Sequence, residues 1–148
     1  AAARDAFQKA VNIGKASDNR RVPVTAAVYL GHASELAGNL HRAARIFEDA
    51  FRFAQRHGRE LPVASYLHID YARVLCEMND LEGAQQHIER GIQQSQIVGD
   101  ARIENLGNNI AVRIYLACGE IEKARHAYQE SQKFVPSPGI VYDMRGGE

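Results

Sequence analysis

The sequence predicts an all-α solenoid, a stack of about seven helices paired into hairpins, and three observations carry that prediction. One pattern returns about every 40 residues: Gly38-Asn39-Leu40 with Ala43, Phe47 and Ala50, then Asn79-Asp80-Leu81 with Ala84, Ile88 and Gly91, then Gly119-Glu120-Ile121 with Ala124, Tyr128 and Ser131. Apolar residues recur at i, i+3, i+4 and i+7, as in Ala43, Ile46, Phe47, Ala50, Phe51 and Ala54, while period-two alternation is almost absent. Turn residues fall at regular places: Gly14 to Arg21, Gly38-Asn39, His57-Gly58, Asn79-Asp80, Gly99-Asp100 and Gly119-Glu120.

The elements follow in order. A first helix is expected over 2–16, where Ala3, Phe7 and Ala10 fit the ladder one period before Ala43, so the chain opens inside a repeat. The second is expected over 23–37 and the fourth over 62–78, with Pro23 and Pro62 in first turns, where a missing N–H removes no helical bond. The third and fifth, over 40–57 and 81–98, start directly after Gly38-Asn39 and Asn79-Asp80. These Gly and Asn residues suit the left-handed conformation that a tight turn needs. The sixth, over 101–118, has Asp100 as its cap and Glu104 at the positive end of its dipole, and the seventh runs over 121–134. Val135-Pro136-Ser137-Pro138-Gly139 cannot continue it. Residues 1–134 therefore read as one repeat domain, with an incomplete first repeat over 1–18 and repeats over about 22–58, 62–99 and 101–134. Residues 135–148 read as a linker or tail, whose Ile140, Val141, Tyr142 and Met144 are candidates to dock on an exposed end.

Within the ladder, Ala43, Ala84 and Ala124 are small where two helices must approach, and Phe47, Ile88 and Tyr128 are expected to fill the space one turn on. At 148 residues and 45% hydrophobic content, the chain can bury a real core. Eighteen Lys plus Arg balance eighteen Asp plus Glu, so no net field draws it to nucleic acid or an anionic membrane. No apolar run approaches the ~20 residues of a spanning helix, and the N-terminus lacks the order of a signal peptide. Cys76 and Cys118, one in each of two repeats, suggest small buried hydrophobes in a reducing cytoplasm rather than a disulfide framework. The start without Met, inside a repeat, suggests a piece of a longer protein.

Leu30-Gly31, Gly38, Ala43, Phe47 and Ala50 resemble the tetratricopeptide repeat, although Tyr71-Ala72 and Ala111-Val112 replace Leu-Gly in later repeats and each repeat is about six residues longer than the usual ~34. The added length, with the phrases Asn79-Asp80-Leu81-Glu82-Gly83-Ala84, Val98-Gly99-Asp100 and Ile114 to Arg125, resembles the MalT-like subgroup. That subgroup is the sensor region of large ATP-dependent bacterial transcription activators of the LuxR family. The resemblance implies a right-handed superhelix that binds a protein or small-molecule inducer on its concave side, without catalysis of its own. No Gly-x-x-x-x-Gly-Lys-Ser/Thr loop is present, so no cofactor and no direct nucleic acid contact are expected of these residues. A general adaptor holding a peptide or helix of a partner, unconnected with transcription, is the alternative.

In such a superhelix the first helix of each hairpin lines the concave groove. Residues there that packing does not use are Tyr29, His32 and Glu35, then Tyr66, Asp70, Arg73 and Glu77, then Asn109 and Arg113. Arg73 and Arg113 share one slot in neighbouring repeats, with His32 one repeat earlier. Two readings stand: the guanidiniums, helped by Asn109, hold a carboxylate or phosphate of a ligand, or Glu35, Asp70 and Glu77 neutralise them. The mixed charges of Arg42, Arg45, Glu48, Asp49, Gln85, Gln86, Glu89, Lys123, Arg125, Gln129 and Glu130 mark a water-facing convex side. The six histidines show no metal-binding spacing, and His68 and His87 read as partly exposed helix residues. Cys76 is the one plausible nucleophile, with His32 or Arg73 across the groove. The first helix lacks a mate, so Phe7, Ala10 and Val11, with Ile13, are expected to form an edge for self-association, giving a possible homo-oligomer.

Overall fold

Seven α-helices follow one another in a computed structural model that describes residues 2–16, 19, 21–56 and 64–134, and no strand occurs among those residues. They are α1 (Ala2–Ala16), α2 (Arg21–Leu36), α3 (Leu40–Arg56), α4 (Ala64–Glu77), α5 (Leu81–Val98), α6 (Ala101–Ala117) and α7 (Ile121–Gln132). Every helix lies within two residues of its expected ends wherever those ends are described. Pro23 lies in the first turn of α2, whereas Pro62, His57-Gly58 and the tail 135–148 lie outside the described residues.

The turns explain the punctuation. Gly38, Asn79 and Gly119 have φ of 73°, 64° and 76°, the left-handed conformation that reverses the chain between α2 and α3, α4 and α5, and α6 and α7. The next helix then starts on a prepared cap. Asp80 accepts a hydrogen bond from the Gly83 N–H at 3.0 Å, and Asp100 accepts from the N–H groups of Arg102 and Ile103 at 3.1 and 3.3 Å. Glu120 caps nothing with its side chain and instead pairs with Lys123 at 2.6 Å.

Consecutive helices pack in antiparallel hairpins, and the hairpins stack. In the stack the backbones of α2 and α4, and of α4 and α6, approach closely, whereas α3 and α5, and α5 and α7, meet only through side chains such as Phe51 with His87 and Lys123 with Glu89. The first helices are therefore closer together than the second helices, so the stack curves with α2, α4 and α6 on its inner side. One apolar core runs through it, from Phe7 and Val11 of α1 to Ala124 and Ala127 of α7.

The small residues of the ladder are buried as expected: Ala43, Ala50 and Ala84 are fully so, and Ala124 nearly so. Gly31 shows why size matters there, since a methyl group at its Cα would lie 2.3 Å from Cζ of Phe47. Gly31→Val is expected to lower the unfolding free energy by roughly 2–3 kcal/mol, because overpacking outweighs the gain in helix propensity. A urea midpoint equal to that of the parent sequence would contradict this packing.

Two expectations about the ends are corrected. Phe7, Ala10 and Val11 are buried, not open, because the ladder face of α1 is the face that α2 covers, with a smaller contribution from α3. Of that expected edge only Ile13 is largely exposed. At the other end Tyr128 occupies the same rung as Phe47 and Ile88, both fully buried, but is itself 55% exposed. No described element lies beyond α7 to close over it.

Candidate functional site

The inner helices bring most of the expected groove residues together, through contacts that reach from one hairpin to the next. Arg73 of α4 reaches back to Glu35 of α2, with Nη2 2.7 Å from Oε2. Arg113 of α6 does the same to Glu77 of α4, at 2.6 Å. The two arginines share one slot of the repeat, and each holds the inner helix before it by a carboxylate near that helix's C-terminal end. His32 fills this slot in α2 and reaches forward, with Nε2 2.8 Å from Oδ1 of Asp70. Oδ1 of Asp70 also lies 3.5 Å from Nη2 of Arg73. His32, Glu35, Asp70 and Arg73 thus form one polar cluster at the joint between α2 and α4.

The cluster is incompletely bonded. Asp70 is 2% exposed, and its Oδ2 has no hydrogen-bond partner among the described residues. Nε2 of His32 and Nε of Arg73 are likewise shielded without a well-aligned partner. The His32 contact is short, although its Nε2 is not well aligned on Oδ1. The exposed pair of Arg113 and Glu77 contributes little to stability, whereas the shielded groups around Asp70 interact more strongly.

Asp70 raises the pKa of His32 above its usual 6.5, outweighing the opposing effects of burial and of Arg73. A histidine whose folded pKa is raised stabilises the fold fully below its unfolded pKa, and this contribution disappears as pH rises through the folded pKa. The chain is therefore expected to lose stability as pH climbs past 6.5, and His32→Gln is expected to flatten that limb. Thermal melts of both proteins between about pH 6 and 9 check it, and an unchanged slope in the variant would rule His32 out as the cause.

The remaining groove residues take varied places. Tyr29 is 71% exposed, and Tyr66 is half-buried, its phenol pushed up in pKa by burial and then by Asp100. Asp70 and Tyr29 also push the Tyr66 phenol up, more weakly. Asn109 does not join Arg113: its amide donates to the carbonyl of Asn105 at 2.8 Å. The outer faces of α3, α5 and α7 carry the expected charged and polar side chains in or near water, including Arg42, Arg45, Gln86, Lys123 and Gln129.

Three features were not read from the sequence. Tyr71 donates to Glu48 at 3.2 Å and Tyr115 to Glu89 at 3.4 Å, each tying an inner helix to the outer helix of the preceding hairpin. The third corrects the view of His68 as a partly exposed helix residue, whereas His87 is partly exposed as expected. His68 is buried, and Nδ1 atoms of the two rings lie 2.8 Å apart, beneath Phe51. That distance fits one proton shared between two neutral rings. Cys76 is half-buried, and burial pushes its thiol pKa up, which opposes formation of a reactive thiolate. Among the described residues no three His, Cys, Asp or Glu side chains gather as a metal site requires, and no helix is long and apolar enough to cross a membrane.

A curved stack of α-hairpins with a polar inner face, joined from repeat to repeat, defines a helical-repeat interaction domain. The family model of the MalT-like TPR region matches residues 1–145, and the chain belongs to that family. A comparison with curated proteins finds no match.

Proposed function

We propose that this chain is the ligand- or protein-binding sensor segment of a bacterial LuxR-family transcription regulator, and that binding takes place on the inner face formed by α2, α4 and α6. The observation that carries the reading is the polar cluster of His32, Glu35, Asp70 and Arg73. It lies on the inner side, bridges two hairpins and leaves polar atoms unpaired. Groups placed for stability alone satisfy one another. The family supports a role in recognition, and the raised thiol pKa of Cys76 disfavours the one nucleophile that the sequence offers.

The mechanism is a shift between two states. The contacts of Arg73 with Glu35 and of Arg113 with Glu77 cross from hairpin to hairpin, so a ligand that exchanges one of them favours one relation between neighbours over another. Only unequal affinity for the two states produces such a shift. Small-angle X-ray scattering of the full-length regulator tests it with any compound that switches its transcription. The expected result is a change in shape or mass that Arg73→Ala removes. A regulator whose scattering ignores a compound that switches its output would contradict the mechanism.

A further inference from the structure

We propose that the joint between α2 and α4 is a subsite for a cation, specifically a lysine or arginine side chain presented by a partner protein. This rests on the inner face being the binding face. It opposes the expectation that Arg73 and Arg113 await an anion, because each guanidinium already holds a carboxylate.

The sign follows from the groups present. At the joint two carboxylates, Glu35 and Asp70, face one guanidinium, Arg73, and His32 is the remaining group able to carry positive charge. The next pair along the inner face, Glu77 with Arg113, is balanced. Asp70 is almost wholly buried, yet its Oδ2 accepts nothing among the described residues. A buried carboxylate with spare lone pairs favours a further donor, and a charged donor most.

His32 is the member that yields. Its side chain is 39% exposed against 3% for Asp70, and its contact to Oδ1 is poorly aligned. An ammonium or guanidinium entering from the groove displaces the imidazole and sits between Asp70 and Glu35. A free amine would fill this corner alone, whereas the inner face continues to the Glu77–Arg113 pair on α4 and α6, which suits a longer polypeptide segment.

Proton linkage gives the proposal a signature. The groups facing His32 are Asp70 and Arg73 from α4 and Glu35 from its own helix, and together they favour its protonated form. A bound cation competes with that proton. Binding of a cationic segment therefore tightens as pH rises through the His32 pKa, while an anionic segment would bind more tightly as pH falls.

The test is an NMR titration of the isotope-labelled 148-residue chain with capped Ala-Ala-X-Ala-Ala peptides, X being Lys, Arg, Gln or Glu, and with cadaverine as a free amine. The Lys and Arg peptides are expected to bind roughly tenfold more tightly than the Gln peptide, with shifts centred on α2 and α4. That preference should grow from about pH 6 to 8 and vanish in Asp70→Asn. Glu35→Gln, nearer the surface, should weaken it severalfold and serves if the buried change prevents folding. Equal binding of Lys and Gln peptides, or shifts away from α2 and α4, overturns the proposal. Cadaverine binding as tightly as the Lys peptide overturns the assignment to a protein partner. Preference for the Glu peptide, lost in Arg73→Ala, overturns the cation assignment while leaving the inner face as the binding face.

Discussion

Phe47→Ala is expected to remove about 3–5 kcal/mol of stability, whereas Tyr128→Ala, on the same rung two repeats later, is expected to change it by less than about 1 kcal/mol. Phe47 is fully buried, with its ring against Gly31 and 5.8 Å from that of Tyr71 on the next inner helix. Truncation leaves a cavity that Gly31, with no side chain, cannot refill. Tyr128 is more than half exposed and loses little when cut back. Chemical denaturation of the two variants measures the contrast. Equal losses would mean that the last hairpin is covered as fully as the first, against the structure.

Acidification is expected to destabilise the domain through His68 and His87 in the range just below pH 6.5. Burial, then the neighbouring His87 and Arg90, push the His68 pKa down to about 3, and burial with Arg90 lowers that of His87 against the pull of Asp80. The sign is the reverse of that for His32. Above 6.5 both folded and unfolded forms are neutral and nothing is lost, whereas below it the unfolded chain binds a proton that the folded one refuses. From pH 6.5 to about 4.5, His68 alone is expected to remove about 2–3 kcal/mol. His68→Phe keeps a ring beside Phe51 and should reduce the slope in that window. Urea midpoints independent of pH over the same range would contradict the neutral pair.

The helices and their pairing were legible because a repeat records its own geometry: a residue that must be small, such as Ala43, returns as Ala84 and Ala124. The shared slot of Arg73 and Arg113 was legible for the same reason, since both pair with a carboxylate of the preceding inner helix. What a rung cannot record is which neighbour covers it. Phe7, Ala10 and Val11 looked open because the first helix lacks a mate, but their face belongs to α2. Tyr128 looked buried because Phe47 is, although its rung has no following inner helix among the described residues. The pair of His68 and His87 brings together two helices and residues 19 apart, a separation with no local signature. A signal for the tyrosine contacts did exist: Glu48 and Glu89 stand 41 positions apart on one face of successive outer helices. It was read as a solvated surface, since mixed charges at helical spacing usually are one.

The sign of the groove was the harder matter. Two arginines in register suggest either an anion site or neutralisation by Glu35, Asp70 and Glu77, and the structure places Glu35 and Glu77 against them. The remaining imbalance at Asp70 comes from burial, which a sequence does not show for a single polar residue on a helix.

The central claim is that recognition belongs to the inner face, and a transcription reporter driven by the full-length regulator proposed above tests it most directly. Tyr29→Ala and Arg73→Ala on α2 and α4 are compared with Arg45→Ala and Gln129→Ala on α3 and α7, at matched protein levels. The expected result is loss of the response to inducer in the inner pair and a response close to normal in the outer pair. Loss confined to the outer pair, with the inner pair responding normally, would contradict the account.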